Sequence, residues 1–363
     1  MITYLFRIFF EQIKRKKKIN PYYVQDLNAI NFSISELKRA GICDDEVLTS
    51  FVSNIEPYIK FGKYSQDSYF AARNISISSG LKFNILLKEY YKKAFPSNIQ
   101  LSSQAGVIAN ALIDDGYFVL NTTNGAKELA NYYLKKMAIL PVVREIDERL
   151  GDLSYFYKNP IPGAIRYNFR EQDLEILPFL SAIESAGILD AIESYIGKPI
   201  LRNICAWVST QPIHSTKKDL DIAAQLFHRD LDNPGGWVKV FIYLTDVTSD
   251  NGPHVFSAKS HRVSPPQTLK RDGRFSDDEV EKTFEKSKVL CGEAGTIIVA
   301  DTLGFHKGLP IINGSRKILQ LEFVSSLWGA NTPQATNFDF RLKELEAYED
   351  RFKYRFIRDS LGG

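Results

Sequence analysis

His228 and Asp230 stand two residues apart at the end of the stretch A-A-Q-L-F-H-R-D, Ala223 to Asp230. On an extended chain, residues so spaced project to one face with Cα atoms about 6.6 Å apart. An imidazole and a carboxylate then converge on one ion while Arg229 points away. A single H-x-D arises often by chance, so a third ligand must come from elsewhere. His254 lies in a G-P-H-V-F turn and His261 in a K-S-H-R loop, where a solvated or hydrogen-bonding role is the ordinary expectation. His306, in T-L-G-F-H-K-G-L-P, follows a strand ending at Asp301. It would complete two histidines and one carboxylate on one side of an ion with the opposite positions open, an arrangement suited to ferrous iron and dioxygen rather than to a closed zinc site.

Ten residues beyond His306 comes Arg316, at the start of the strand-like S-R-K-I-L-Q-L-E-F. Most single arginines at a strand edge are solvated. A guanidinium directed into an apolar interior, however, needs an anion, and its fork matches a carboxylate through two bonds. A dicarboxylate chelating the metal at one end would meet Arg316 at the other. The letters H-R-D-L also occur in the catalytic loop of protein kinases, but Gly235 stands where that loop requires Asn, and no glycine-rich loop, V-A-I-K or D-F-G accompanies it.

The elements that must hold these groups follow from composition and pattern. With 363 residues, 44% hydrophobic and 12% aromatic, the chain can bury a substantial core. Its 46 basic and 43 acidic side chains nearly balance, which gives no reason to expect a nucleic-acid partner. Cys43, Cys205 and Cys291 are odd in number and far apart, so neither a disulfide framework nor a C-x-x-C zinc site is available, and a reducing, cytoplasmic setting fits. The first 18 residues combine an aromatic, apolar run with the cluster Lys14 to Lys18. They are too short to span a bilayer and have the wrong charge order for a signal peptide. As a helix they suit peripheral contact with an anionic membrane, although docking on the protein's own core is the commoner fate.

From Ile30 to about Ser97 the pattern is helical, with Ser33 or Ser35 as candidate N-caps. A helix, a glycine stop and a short strand follow Pro96. From Gly163 the texture becomes strand-like: A-I-R-Y-N-F, P-I-L-R-N-I-C-A-W-V-S-T, W-V-K-V-F-I-Y-L-T-D-V, then G-T-I-I-V-A-D and R-K-I-L-Q-L-E-F-V. Such spacing predicts a sandwich or barrel. On the strand after H-x-D, Trp237, Lys239, Phe241 and Tyr243 share one side and Val238, Val240, Ile242 and Leu244 the other, so one set lines an interior while the aliphatic set packs beneath helices. Ser264 to about Lys288 reads as a polar insertion, and the tail from Asn337 as helix.

The order H-x-D, hydrophobic strand, V-T-S-D-N-G-P, S-A-K-S-H-R, distal His and Arg resembles the phytanoyl-CoA dioxygenase family of iron(II)- and 2-oxoglutarate-dependent oxygenases, over roughly residues 103 to 328. The resemblance implies a mainly β core with flanking helices, a double-stranded β-helix related to the cupin jelly roll. It implies a division into a helical N-terminal extension (1–98), a dioxygenase domain (99–330) and a helical C-terminal tail (331–363). It assigns iron to His228, Asp230 and His306, and the distal carboxylate of 2-oxoglutarate to Arg316. Gln225, Phe241 and Gly308 fall where family members contact the cosubstrate. Phe241 replaces a common Trp or Ser, and Gly308 a common Ser, which removes one usual hydrogen bond. The implied activity consumes dioxygen and 2-oxoglutarate and hydroxylates a C–H bond of a small-molecule or lipid-linked substrate. The carboxylate of Asp230 favours this over halogenation, in which a small residue replaces it, and leaves desaturation and ring formation open as alternatives. A non-catalytic jelly-roll binding module is the rival expectation.

Overall fold

The computed structural model describes residues 23–61, 66–94, 96, 99–140, 142–144, 156–157, 166–169, 173–211, 224–231, 235–284, 287–325 and 353–354. The basic stretch 1–18 lies outside them. Among the described residues four helices come first: α1 (Tyr23–Arg39), α2 (Asp45–Phe61), α3 (Gln66–Ser78) and α4 (Lys82–Ala94). Their apolar stripes meet in one core containing Ala29, Ile30, Leu37, Phe51, Ile55, Ile75, Phe83 and Leu87. No helix among the described residues is long and apolar enough to cross a membrane.

The expected caps at Ser33 and Ser35 are not helix starts. Both lie inside α1, and their hydroxyls donate back to the carbonyls of Ala29 and Asn31 at 2.8 Å. The buried stripe from Ala29 through Leu37 carries the helix across them, so burial overrides the local capping pattern. A complete capping box does form elsewhere, between Ser276 and Glu279.

Within the helical core, Asp26 is buried and accepts a hydrogen bond from Tyr91 Oη at 2.5 Å. Burial raises its pKa to about 7 despite that bond. A carboxyl raised in the folded state binds more protons there than in the unfolded chain. Its contribution is therefore fully present below its ordinary value near 4 and is lost as pH rises to about 7, at about 1.4 kcal/mol per pH unit. Asp26→Asn is expected to flatten that slope. Urea unfolding of both proteins at several pH values checks this; parallel slopes would refute the assignment.

The rest of the described residues build two sheets, antiparallel except at the last strand, with most of the helices on one side. After α5 (Ser103–Asp114), β1 (Tyr117–Leu120) and α6 (Asn124–Met137) come β2 (Val142–Arg144), β3 (Phe156–Tyr157), β4 (Arg166–Phe169), α7 (Leu177–Ser185), α8 (Ile188–Ile196), β5 (Ile200–Thr210), β6 (Trp237–Tyr243) and β7 (His254–Phe256). Then follow α9 (Asp277–Glu281), β8 (Lys288–Leu290), β9 (Ile297–Asp301), β10 (His306–Gly308), β11 (Ser315–Val324) and β12 (Lys353–Tyr354). The large sheet runs β1-β9-β6-β11-β5-β4-β2-β3, with β12 beside β5, and the small sheet β10-β7-β8. Lys353 and Tyr354 thus pair in parallel with Ile200 and Leu201, a correction to the helical tail expected from residue 337; the remainder of that tail lies outside the described residues.

The alternation read from β6 decides which face goes where. Val238, Val240 and Ile242 join Leu319, Leu321, Phe323, Ile204 and Val208 in the core beneath α5 to α8. On the opposite face Phe241, Tyr243, Trp207, Ile298 and Ile318 meet Phe256 and Leu290 of the small sheet. The cavity-lining and core-packing sets are therefore separated by the period of two alone.

The segment after Ser264 is more than a polar loop. Leu269, Phe275 and Val280 are buried with Phe227, Val255 and Phe305, behind the small sheet. Arg73 of α3 holds Asp272 through Nε at 2.9 Å, and Lys307 reaches Asp277 at 2.6 Å, so both neighbours grip it.

Candidate metal centre between the two sheets

His228 lies on an extended segment held against β10 by a reciprocal pair of backbone bonds: its N–H donates to His306 O, and His306 N–H to His228 O, both at 3.0 Å. Two residues on, the Asp230 N–H donates to Thr302 O at 2.9 Å. The two H-x-D side chains and His306 thereby converge. One ligand atom from each of His228, Asp230 and His306 lies within 4.8 Å of the others, and among the described residues this is the group of His, Cys, Asp and Glu so arranged. His306 Nε2 is 3.5 Å from Asp230 Oδ2, and the two imidazole centroids are 4.3 Å apart.

The backbone fixes which nitrogen each ring presents. His228 Nδ1 lies 2.9 Å from Leu226 O, and His306 Nδ1 lies 2.9 Å from Gly304 O. A carbonyl only accepts, so each Nδ1 carries the proton and each Nε2 offers its lone pair. Burial keeps both rings neutral, the pKa of His228 well below its ordinary value and that of His306 also lowered. Burial also works against ionised Asp230, but the Lys239 ammonium outweighs it and holds the carboxylate far below its usual range. The result is a pair of neutral donors and one anion, the donor set a divalent cation requires.

Arg316, on β11, lies against Gly308 of β10. It is 7% exposed, and its Nε and Nη1 are buried without hydrogen-bond partners. Burial lowers its pKa to about 10, which leaves it charged at neutral pH. A Cβ built on Gly308 would lie 3.3 Å from Arg316 Nη2, so the guanidinium lies across this glycine. Gln225 is also buried with Oε1 unpartnered, and Phe241 packs its ring 5.0 Å from that of His254. The structure thus gathers His228, Asp230 and His306 closely, sets Gly308 under Arg316, and turns Phe241 inward.

Three further residues join them that the sequence pattern did not assign. His254, expected in a turn, is buried on β7 opposite Gly308 and stacks on His306 at 5.7 Å. Its Nε2 has no partner, and burial, His306, Arg316 and Lys239 hold its pKa well below the ordinary value. Lys239 places Nζ 2.9 Å from Asp230 Oδ2 and 3.4 Å from Glu322 Oε1 on the adjoining β11. Burial opposes its charge, but Asp230 and Glu322 raise its pKa far above the usual range. Period-two alternation had already put Lys239 on the inner face; Glu322 shares that face through its register partner Lys239. His261, the other loop histidine, is a buried structural residue away from these groups, with Nε2 3.3 Å from Ile113 O and a pKa lowered to about 4 by burial.

No protein-family model matches the chain, and no curated protein matches it in sequence. Among solved structures it is similar to the epimerase SnoN in complex with Fe3+, alpha ketoglutarate and nogalamycin RO, at 14% identity over 64% of this chain and 91% of that one, with TM-score 0.45. It is also similar to HygX from Streptomyces hygroscopicus with nickel and 2-oxoglutarate bound, at 15% identity over 67% and 94%, with TM-score 0.42. A third similar structure is SnoK, a non-heme alpha ketoglutarate dependent carbocyclase from nogalamycin biosynthesis, at 12% identity over 62% and 84%, with TM-score 0.36.

Proposed function

We propose that this chain is an iron(II)- and 2-oxoglutarate-dependent oxygenase of the phytanoyl-CoA dioxygenase type, built on a double-stranded β-helix and hydroxylating a C–H bond of a small-molecule or lipid-linked substrate. The observation that carries the reading is the joint presence of a convergent His, Asp and His group and a buried arginine with unpartnered nitrogens facing the same interior. Either feature alone would be compatible with a purely structural role. A buried unpaired guanidinium is costly, and a ligand carboxylate relieves that cost.

The residues fit the implied groups. His228 and His306 would hold the metal through Nε2 and Asp230 through its carboxylate, while Arg316 would receive the far carboxylate of the cosubstrate across Gly308. Gln225 supplies an unpartnered Oε1, and Phe241 an apolar wall that excludes water. When bound, ferrous iron with 2-oxoglutarate supplies dioxygen activation coupled to oxidative decarboxylation, with succinate as co-product. The chain's own work is to hold both imidazoles in the Nδ1-protonated tautomer, keep Asp230 ionised, and orient the cosubstrate from Arg316. The carboxylate at 230 occupies the position that halogenation needs vacant. The division into 1–98, 99–330 and 331–363, and a cytoplasmic setting, belong to the same proposal.

The test is anaerobic addition of ferrous iron and 2-oxoglutarate to the purified protein. A weak visible charge-transfer band is expected, followed in air by iron-dependent succinate formation. If both are missing, the enzyme reading is wrong.

A further inference from the structure

Asp230 Oδ2, the oxygen nearest His306 Nε2, is also the one Lys239 holds. A metal held through that oxygen would compete for it with the Lys239 ammonium, whose contact is an ion pair without hydrogen-bond geometry. The second anion of Lys239 is Glu322, which is already shared: Gln320 Nε2 donates to Glu322 Oε1 at 2.7 Å, and Arg202 approaches Oε2 at 3.8 Å. Once a metal takes the Asp230 oxygen, the buried ammonium keeps only Glu322, 3.4 Å away and already shared with Gln320. Beside it stands a second donor. Trp237 is 4% exposed, its indole Nε1 is buried with no hydrogen-bond partner, and its ring lies 4.6 Å from Lys239 Nζ.

Charge points the same way. A dication, ionised Asp230, a dianionic cosubstrate and Arg316 together sum to zero. Lys239 is outside that sum, and Glu322 does not belong to it alone. Side chains of Lys239 and Asp230 keep 13% and 16% of their exposure, so the pair borders open space and not sealed core. One donor without an acceptor and another that shares its own, on the cationic side of an otherwise neutral centre, call for a ligand group that only accepts.

We infer that Lys239 and Trp237 form the subsite for the prime substrate's anionic group, a carboxylate or phosphate, and that metal loading frees Lys239 from Asp230 to bind it. The inference rests on the metal assignment above and adds the substrate class and an order, metal before anion. It also makes Lys239 a placeholder: in the metal-free chain it neutralises an otherwise buried carboxylate.

The test uses the full chain loaded with Mn(II), with 2-oxoglutarate saturating so that Arg316 is occupied. Three probes of equal length, hexanoate, hexanamide and hexylamine, are followed by paramagnetic broadening of their proton signals. Hexanoate is expected to be broadened saturably and the other two not. Lys239→Met should weaken hexanoate by about tenfold or more, the scale of one charge-assisted hydrogen bond. Glu322→Gln should strengthen it, because Lys239 then lacks its remaining carboxylate; this opposite sign keeps the test decisive if Lys239→Met fails to fold. Equal broadening of all three probes, or unchanged hexanoate binding in either variant with Mn(II) retained, overturns the subsite alone. Failure of the unmodified chain to bind Mn(II) overturns the metal assignment and the subsite with it.

Discussion

His228→Ala is expected to abolish metal binding, while Arg316→Met is expected to bind metal as the unmodified chain does and to lose affinity for 2-oxoglutarate by about a hundredfold. In the proposed function the two residues meet different parts of one ligand arrangement. His228 offers Nε2 directly to the centre, and its loss leaves one imidazole and one carboxylate. Folding should survive, because the bonds tying the segment to β10 are backbone bonds that Ala retains. Arg316 lies across Gly308. Under the proposed function its removal would delete a bidentate, charge-assisted pair with the cosubstrate's far carboxylate, about 3 kcal/mol and so about a hundredfold. Calorimetric titration of each variant first with Mn(II) and then with 2-oxoglutarate separates the two effects. Equal loss of metal in both variants would show that Arg316 supports the ligands and does not meet the cosubstrate.

What could be read from the sequence tracks the range of the interactions involved. His228 and Asp230 were legible because a spacing of two on an extended chain fixes a shared face whatever the fold. The two faces of β6 were legible for the same reason, and both went where the alternation sends them. His254 was hidden by its neighbours: Gly252 and Pro253 signal a turn, yet pairing of β7 between β10 and β8 buries the ring against His306. Lys239 lay on the predicted inner face, but its meaning depends on Glu322, which reaches it only through the register of β6 against β11. Ser33 and Ser35 show the reverse failure, a local capping pattern defeated by a buried stripe that runs through it. Leu269, Phe275 and Val280 are too far apart in a polar segment to form a period, and only the shared cluster behind the small sheet reveals them.

A second large effect concerns the helices that precede the sheets. Lys88→Met is expected to destabilise the whole protein by about 3 to 5 kcal/mol, the usual consequence of stranding a buried charge. Asp301, at the end of β9, is fully buried, and its Oδ2 receives Lys88 Nζ at 3.1 Å and Tyr195 Oη at 2.7 Å. Burial acts to raise its pKa, but Lys88, His261, Tyr195 and the Leu303 N–H, at 3.0 Å, together lower it, so the group folds as a carboxylate. Removing Lys88 deletes the main countercharge. The damage should reach the proposed metal ligands, since Thr302 O receives the Asp230 N–H and Gly304 O faces His306 Nδ1 in the turn that Asp301 anchors. Asp301→Asn in the Lys88→Met background should recover much of the loss, because it removes the stranded charge. A chain beginning at residue 99 lacks Lys88 altogether and is expected to fold poorly even though every proposed ligand is retained. Denaturant unfolding of the single and double variants decides the matter: a Lys88→Met protein within about 1 kcal/mol of the unmodified chain, the range of an exposed ion pair, would mean that the helical segment is only attached to the sheets and does not hold the metal loop in place.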